Sequence, residues 1–195
     1  MKKIMVIISF LLGISVFGAD FSTIDTFSLD VKERSVINKK EKKKEYILKV
    51  KFPDKIYKEM KKTDINKGEQ YIYNGNKKTI YIPALKQKNT KDIEEEENYI
   101  IKVMRDIKNI NYSRAKNGII EIEDGKVKVD TVSKKVLEAE YEDETKVVFE
   151  KYSEIAGYNF PVKVTIYDKG AFLSQLDFSN IKINEKIGND IFILN

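Results

Sequence analysis

The side chains that most often carry catalysis are missing from this chain. Its 195 residues include no His and no Cys, which removes the commonest general base and the soft ligands of zinc and copper sites. No Ser lies in a Gly-x-Ser-x-Gly motif, and no glycine-rich loop precedes a helical pattern. A nucleophile elbow and a nucleotide phosphate site are therefore not expected. We predict no catalytic residue, no cofactor and no bound metal.

Carboxylates remain as candidate acids and metal ligands. The four Glu at 94–97 lack the alternating acidic spacing and the glycine turn of a calcium loop, and the run is more typical of a solvated helix start. Glu121 and Glu123 share one face of a predicted strand, and they would make a glycosidase pair only beside a cleft. Nothing in the sequence indicates such a cleft, so we predict that the protein is not an enzyme.

The charge balance excludes one class of partner. The chain carries 36 Lys and Arg against 31 Asp and Glu, a formal net charge of +5, which falls to +3 without Lys2 and Lys3. This excess is too small to predict a nucleic-acid partner, and no RNP-like run of aromatic residues accompanies it. The basic run at 39–44 has two interpretations: a hairpin tip that touches anionic lipid head groups, or a solvated turn.

The first residues have the pattern of an export signal. Lys2 and Lys3 precede an apolar stretch at 4–16, which is short for a membrane span, and Gly18 and Ala19 follow. We predict a signal peptide over 1–19, cleaved near Gly18-Ala19, with an uncleaved anchor as the alternative. Without Cys the protein cannot be lipidated as bacterial lipoproteins are, and it cannot form a disulfide. The expected product is a soluble periplasmic protein with a single domain over 20–195.

Residues 46–83 predict an antiparallel meander of four short strands. Apolar residues alternate with polar ones, the two-residue period of a strand with one buried face. Pro53 cannot donate to a ladder and separates the first two strands. Asn74-Gly75 predicts a type I′ hairpin between the last two. The apolar residues that we place on one wall are Leu48, Val50, Phe52, Ile56, Met60, Ile80 and Ile82.

Residues 89–109 carry the clearest helical pattern of the mature chain. Thr90 is a suitable N-cap, and apolar residues recur at spacings of seven, four and three on one face. We predict that the helix at 91–108 covers one end of the sheet, either as a movable lid or as a fixed plug. The apolar stripe that faces the sheet consists of Ile93, Ile100, Met104 and Ile107.

A second meander follows from Gly118. Asp124-Gly125 predicts another type I′ hairpin, and alternating apolar residues continue to Phe192. One helix cannot cover the apolar faces of so many strands, so the sheet must curl around its own apolar face. The predicted fold is mainly β (α+β): an antiparallel, strongly curved sheet that forms an incomplete β-barrel of about ten or eleven strands with a helical lid. Whether side chains fill the interior or leave a cavity stays open at this point.

Four short motifs, in order along the chain, resemble those of the outer-membrane lipoprotein carrier (LolA-like) family. They are Phe52-Pro53-Asp54-Lys55 at the end of a strand, the hairpin Ile72-Tyr73-Asn74-Gly75 with Tyr81-Ile82-Pro83, the segment Gly157-Tyr158-Asn159-Phe160-Pro161, and the ending Phe178-Ser179-Asn180-Ile181-Lys182-Ile183-Asn184. The resemblance implies a half-barrel whose helix lies across the barrel mouth. The sequence departs from the family before the first strand, where the amphipathic helix that helps to cover the open end is missing.

The resemblance also implies a function. The protein would be a periplasmic carrier for lipoprotein sorting, which binds the acyl chains of lipoproteins or lipids in an apolar concavity. Its partners would be an acylated lipoprotein or lipid, a membrane-complex donor and an outer-membrane acceptor. The alternatives are an envelope lipid-sensing or interaction module on the same fold, and a structural β-protein with a filled interior. Besides the wall residues above, the expected ligand contacts are Phe27, Leu29, Val31, Phe160, Val162, Val164 and Phe178.

Overall fold

A computed structural model describes residues 19–37, 39–62, 67–93 and 103–193. In these residues twelve antiparallel strands form one sheet, together with a helix over residues 103–108. Single 3-10 turns cover Phe21–Thr23, Pro83–Leu85, Tyr112–Arg114 and Asp190–Phe192. The strands are β1 (Thr26–Ile37), β2 (Lys40–Lys51), β3 (Lys55–Lys62), β4 (Gln70–Asn74), β5 (Lys77–Ile82), β6 (Gln87–Asp92), β7 (Ile119–Ile122), β8 (Gly125–Asp130), β9 (Lys135–Tyr141), β10 (Thr145–Ile155), β11 (Tyr158–Asp168) and β12 (Ala171–Ile183).

The sheet consists of two meanders joined at their ends. Strands β1 to β6 follow one another outward on one side, strands β12 to β7 do so on the other, and β1 pairs with β12 at the centre. Strands β6 and β7 are the two edges of this curved and unclosed sheet. The predicted incomplete barrel is therefore confirmed, with twelve strands rather than ten or eleven.

Alternation along the central strands produces the concave apolar face. Phe27 lies opposite Val50 and Leu29 opposite Leu48 in the β1–β2 pairing, so their side chains share one face. One buried cluster lies mainly on β1 to β3 and includes the fully buried Ile24 and Val31. A second lies on β7 to β11 and includes Ile107 from the helix. Phe178 and Leu176 of β12 pack against both clusters, which makes one continuous interior.

The convex face of β3 and β4 has a core of its own. Phe192, on the last 3-10 turn, is 2% exposed and packs with Tyr57 and Ile72. Lys51 Nζ donates to Asn189 Oδ1 over 2.9 Å at the start of this turn. The end of the described chain therefore covers outward-facing apolar residues of the first meander.

The predicted start of the helix is wrong. Residues 87–92 form the edge strand β6, and Thr90 lies in that strand, where its hydroxyl is 2.9 Å from the hydroxyl of Thr79 on β5. Ile93 follows the strand, and its backbone N–H donates to Asn76 O. The described helix covers only residues 103–108. Pairing with β5 decides the outcome, because a polar segment beside an open sheet edge satisfies its backbone there. No helix in the described ranges is long and apolar enough to cross a membrane.

Both predicted turn types are also wrong, although both hairpins form. Asn74 pairs with Lys77, so the first loop is Gly75-Asn76, and of these two only Gly75 has a positive φ, of 62°. In the second hairpin Ile122 pairs with Gly125, which places Gly125 in β8. A Cβ on Gly125 would lie 2.2 Å from the carbonyl oxygen of Glu140. This glycine is therefore required by close strand packing rather than by a turn.

The basic run at 39–44 is mostly strand. Lys39 occupies the turn with a φ of 60°, and β2 begins at Lys40. The side chains from Lys40 to Lys43 are exposed, and Lys43 forms an ion pair with Glu41 at 3.2 Å. The run therefore begins at the tip of the β1–β2 hairpin and continues into β2, because β1 and β2 pair up to Ile37 and Lys40.

Candidate ligand-binding site

The concave face encloses a cavity of about 360 Å³. This volume lies near the lower end of the range for small-molecule sites. Both meanders and the helix contribute to the walls: β1 to β4 on one side, β9 to β12 on the other, and Val103, Met104 and Ile107 from the helix. Most lining side chains are apolar, and they leave space that they do not fill themselves.

Four aromatic rings close one end of the cavity. The Phe21 ring stacks on Phe160 with 5.8 Å between centroids and meets Phe52 edge-on at 6.4 Å. Phe27 lies 6.0 Å from Phe52 and 5.6 Å from Phe160. Phe21 stands on the first 3-10 turn, where the Asp20 carboxylate accepts from the backbone N–H of Ser22 at 3.0 Å. One ring on a short turn therefore covers the end of the barrel before β1.

The helix is fixed to this aromatic end through Lys108. Its ammonium donates to the carbonyl oxygens of Ile24 at 2.6 Å and Ser22 at 3.1 Å, and lies 4.9 Å from the centroid of the Phe52 ring. It also forms an ion pair with Asp25 at 3.3 Å. Met104 is half-buried and faces the cavity, one turn before Lys108. Lys108 therefore attaches the described helix to the aromatic end of the cavity.

Two tyrosine hydroxyls on the far wall are satisfied by backbone oxygens. Tyr112 donates to Lys134 O at 2.9 Å and Tyr152 donates to Val136 O. Burial raises the pKa of both phenols above the ordinary value, so both stay neutral. Because their polar atoms have partners, the tyrosines present ring surface to the cavity.

Charged side chains line the cavity on the β1–β3 wall. Glu33 on β1 forms an ion pair with Lys44 on β2 at 3.9 Å. Burial, with the nearby Glu33 carboxylate, raises the pKa of Tyr46 on β2. Lys58 on β3 also lines the cavity, with its ammonium 3.8 Å from the centroid of the Tyr46 ring. Burial lowers the pKa of Lys58 to about 8, an effect that the Glu33 carboxylate partly opposes. We call Glu33, Lys44, Tyr46 and Lys58 the charged cluster.

The structure brings most of the predicted contact residues to this cavity. Those that line it are Phe27, Leu29, Val31, Leu48, Phe52, Ile56, Phe160, Val164 and Phe178, with Met104 and Ile107 of the predicted lid. Ile93 packs against the core cluster on the same side. Ile100 lies outside the described residues.

Five predicted contact residues do not line the cavity. Val50 and Met60 are buried in the cluster beneath it, at 1% and 5% exposure. Ile80 and Ile82 lie on β5, too far toward the sheet edge, and are only half-buried. Val162 is half-buried on β11, where the pairing with β10 is interrupted at Lys151, whose φ is 50°. This irregularity breaks the alternation that placed Val162 beside Phe160 and Val164.

The charged cluster escaped the sequence analysis, although the same alternation contains it. Glu33 continues the series of Phe27, Leu29 and Val31, and Lys58 lies between Ile56 and Met60 with the same two-residue spacing. Phe21 was missed because it precedes the first strand and belongs to no periodic pattern. A strict reading of period two would have placed both charged residues inside.

A second, wider groove of about 940 Å³ lies on the convex face and includes Glu121. Two of its other acidic residues form ion pairs with lysines: Glu140 with Lys126 at 3.2 Å and Glu138 with Lys146 at 2.8 Å. These are exposed cross-strand pairs, which is the usual condition of a solvated sheet face. In the described ranges no group of three or more acidic residues is arranged to hold a metal ion.

No family model matches the sequence, and no curated protein sequence matches it. Among the solved structures that share the fold are the following three. A LolA superfamily protein from Nitrosomonas europaea has a TM-score of 0.58 at 15% identity, covering 88% of this chain and 91% of its own. A DUF1329 family protein from Desulfovibrio piger has a TM-score of 0.62 at 11% identity, covering 89% and 91%.

The third structure is a putative outer membrane lipoprotein-sorting protein domain from Vibrio parahaemolyticus. It has a TM-score of 0.60 at 10% identity, covering 86% of this chain and 89% of its own. Matches of this length span nearly the whole described sheet, while their low identities restrict the conclusion to architecture. The chain therefore has the fold of the LolA-like proteins, as its sequence motifs suggested.

Proposed function

We propose that this protein is a periplasmic carrier that binds acyl chains of lipoproteins or lipids in its concave cavity and moves them between envelope membranes. The observation that carries the proposal is the cavity itself, an apolar space of about 360 Å³ inside a curved sheet. The fold shared with a LolA superfamily protein and a lipoprotein-sorting domain supports it. No bond is made or broken in this function.

The physical basis of binding would be burial of methylene groups. Each methylene transferred from water contributes about 0.8 kcal/mol, less the cost of ordering the chain. Aliphatic and aromatic walls can bury these methylene groups, because burial of apolar surface does not require a particular orientation of the chain. Release follows from the same property, because an apolar cavity with few directional contacts holds its ligand loosely enough to pass it on.

The proposed assembly includes two membrane partners. A membrane complex would load the cavity, and an acceptor at the outer membrane would empty it. Met104 and its helical neighbours would act as the cover that moves during loading, while Lys108 keeps the helix attached to the aromatic end. The predicted signal peptide at 1–19, which lies outside the described residues apart from Ala19, would direct export.

Native mass spectrometry of the protein purified from the cell envelope tests this function. We expect a bound population whose extra mass is released on activation as an acyl-chain lipid or acylated peptide. Detection of the unliganded mass alone, together with failure to take up an added fatty acid, would contradict the proposal. If a bound lipid is found, a transfer assay distinguishes a carrier from a lipid sensor, because only a carrier moves labelled lipid between two vesicle populations.

A further inference from the structure

The cavity has two chemically different ends. Phe21, Phe27, Phe52 and Phe160 close one of them with aromatic rings. Along β1 the residues that face the interior change from Phe27 and Leu29 to Glu33 and Ser35 toward the β1–β2 hairpin. Glu33, Lys44 and Lys58 all line the same cavity. An apolar tail and a polar head group therefore have separate places to lie.

Lys58 is the charged member of the cluster that has no ion-pair partner among the described residues. Glu33 forms its ion pair with the Lys44 ammonium, at 3.9 Å. Within the described residues Lys58 forms no ion pair, and its ammonium lies over the rings of Tyr46 at 3.8 Å and Tyr71 at 6.0 Å. A ring face accepts only part of what three N–H donors can offer. A half-buried ammonium with no carboxylate partner of its own favours an incoming anion.

We infer that the charged cluster binds the anionic head group, a carboxylate or a phosphate, of an acyl amphiphile, with Lys58 as the residue that contacts it. This inference rests on the proposed function and narrows its ligand class. The tail would occupy the apolar space toward the aromatic end, and the head group would replace the Tyr46 ring as the principal partner of Lys58. Glu33 would exclude a second anion and set the direction in which the amphiphile lies.

The inference also predicts how ligand affinity depends on pH, because Lys58 can lose its proton. Burial lowers the pKa of Lys58 to about 8, and an anion bound beside it would raise that value again. Affinity for an anionic amphiphile should therefore fall as pH rises through about 8, while affinity for a neutral one should not change. The charged or titratable groups that face Lys58 from the neighbouring strands are Glu33, Lys44, Tyr46, Tyr71 and Lys78.

The test compares probes with one tail and different heads. Dodecanoate, dodecyl phosphate, dodecanol and dodecyltrimethylammonium displace a fluorescent acyl probe from the full mature protein, at submicellar concentrations. We expect both anionic probes to bind roughly tenfold or more tightly than dodecanol, the gain typical of a hydrogen bond to a buried charge. Inorganic phosphate alone should not displace the probe, because it lacks the tail.

Three variants assign the preference to Lys58. Lys58→Met should reduce the advantage of the anionic probes to within about twofold and remove the pH dependence, while dodecanol binding persists. Lys58→Arg keeps the charge and should keep the preference. Lys32→Met removes an exposed lysine from β1 and serves as the matched control, with no expected change.

Each outcome bears on one claim. An equal affinity of all dodecyl probes for the unaltered protein would overturn the head-group inference but leave the carrier function standing. A preference for anionic probes that survives Lys58→Met would also overturn the head-group inference. Displacement of the probe by inorganic phosphate, at the concentrations that suffice for dodecyl phosphate, would overturn it too. If no dodecyl probe binds, dodecanol included, the proposed function itself fails.

Discussion

At the scale of single residues, Lys58 links stability to pH. Its folded-state pKa is about 8, against an ordinary value of 10.5. Between these values the unfolded state holds the proton more tightly than the folded state, so stability rises with pH. The lowered pKa of Lys58 can raise the free energy of unfolding by at most about 3 kcal/mol over this range. Above about pH 10 the buried tyrosines, whose pKa values are raised on folding, lower the free energy of unfolding and offset part of this rise.

We therefore expect the free energy of unfolding to rise between about pH 7.5 and pH 9.5, by about 1–2 kcal/mol. Lys58→Met should remove this rise and be about 1–3 kcal/mol more stable at neutral pH, since it removes the desolvated ammonium and keeps the Glu33–Lys44 ion pair. Urea denaturation at four pH values measures both effects, with Lys32→Met as the control. The same slope in Lys58→Met as in the unaltered protein would refute the assignment.

Phe52 and Phe192 make a second pair at this scale. Phe52 is half-buried and lines the cavity, whereas Phe192 is 2% exposed and packs on the convex face. A ring beside empty space loses fewer contacts when truncated, so Phe52→Ala should cost about 1–2 kcal/mol and Phe192→Ala about 3–5 kcal/mol.

Only Phe52→Ala should change which acyl-chain lengths bind best. Denaturant melts and a chain-length series of fluorescent fatty acids provide the two measurements. Equal, core-sized losses in both variants with an unaltered length preference would mean that the wall at Phe52 is packed solid.

At the scale of elements, the helix at residues 103–108 presents one face to the cavity and one to solvent. Met104 lines the cavity and Arg105 is exposed. Met104→Asp places a charge at the cavity and should weaken uptake of a fluorescent fatty acid at least roughly tenfold. Its cost in stability should stay below about 2 kcal/mol, because a half-buried carboxylate can still reach water.

Arg105→Asp carries the same new side chain on the opposite face and should leave uptake unchanged. A fluorescent fatty-acid titration measures the change in uptake, and a urea melt measures the change in stability, for both variants. If Met104→Asp unfolds the protein while binding per folded molecule is unaltered, the helix is ordinary core and not a cover.

The strands could be predicted from sequence where one face is apolar throughout. The series from Leu48 to Phe52 needs only local alternation, and β2 follows it. Strand β6 could not be predicted, since Gln87–Asp92 has no apolar residue and owes its structure to pairing with β5. The preference of Thr90 for an N-cap position is local, and the hydrogen bonds between β5 and β6 outweigh it.

The site was predictable to a similar degree. Residues at the centre of the sheet, such as Leu29 and Phe178, line the cavity, while Ile80 and Ile82 show that alternation gives the face but not the distance from the ligand. Phe21 required the packed structure, whereas Lys58 has the two-residue spacing of an inward-facing position. A ring on an isolated turn has no periodic signature, and a lysine on an apolar face is usually assigned to solvent.

At the scale of the whole molecule, the segment before β1 is part of the fold. The backbone N–H of Ala19 donates to Gly157 O at 2.8 Å, and the carbonyls of Ser22 and Ile24 accept from Lys108. A mature chain that begins at Ala19 or Asp20 would keep these Lys108 contacts. Export with cleavage near Gly18 therefore remains our prediction.

N-terminal sequencing of protein recovered from the periplasm should return Ala19 or Asp20 as the first residue. A variant with Lys2 and Lys3 replaced by Glu serves as the control and should accumulate unprocessed, because signal recognition needs the positive start. Membrane-retained protein that begins at Met1 would contradict this prediction and favour an anchor.

The central claim is that an acyl chain lies inside the curved sheet, and single-tryptophan quenching tests it most directly. The chain has no Trp, so Phe149→Trp places a unique fluorophore in the cavity wall. Phe172→Trp places one against Tyr167, whose side chain borders the convex groove. A brominated fatty acid should quench Phe149→Trp at saturation and leave Phe172→Trp nearly unchanged. Equal quenching of both variants, or none in Phe149→Trp, would contradict binding inside the sheet.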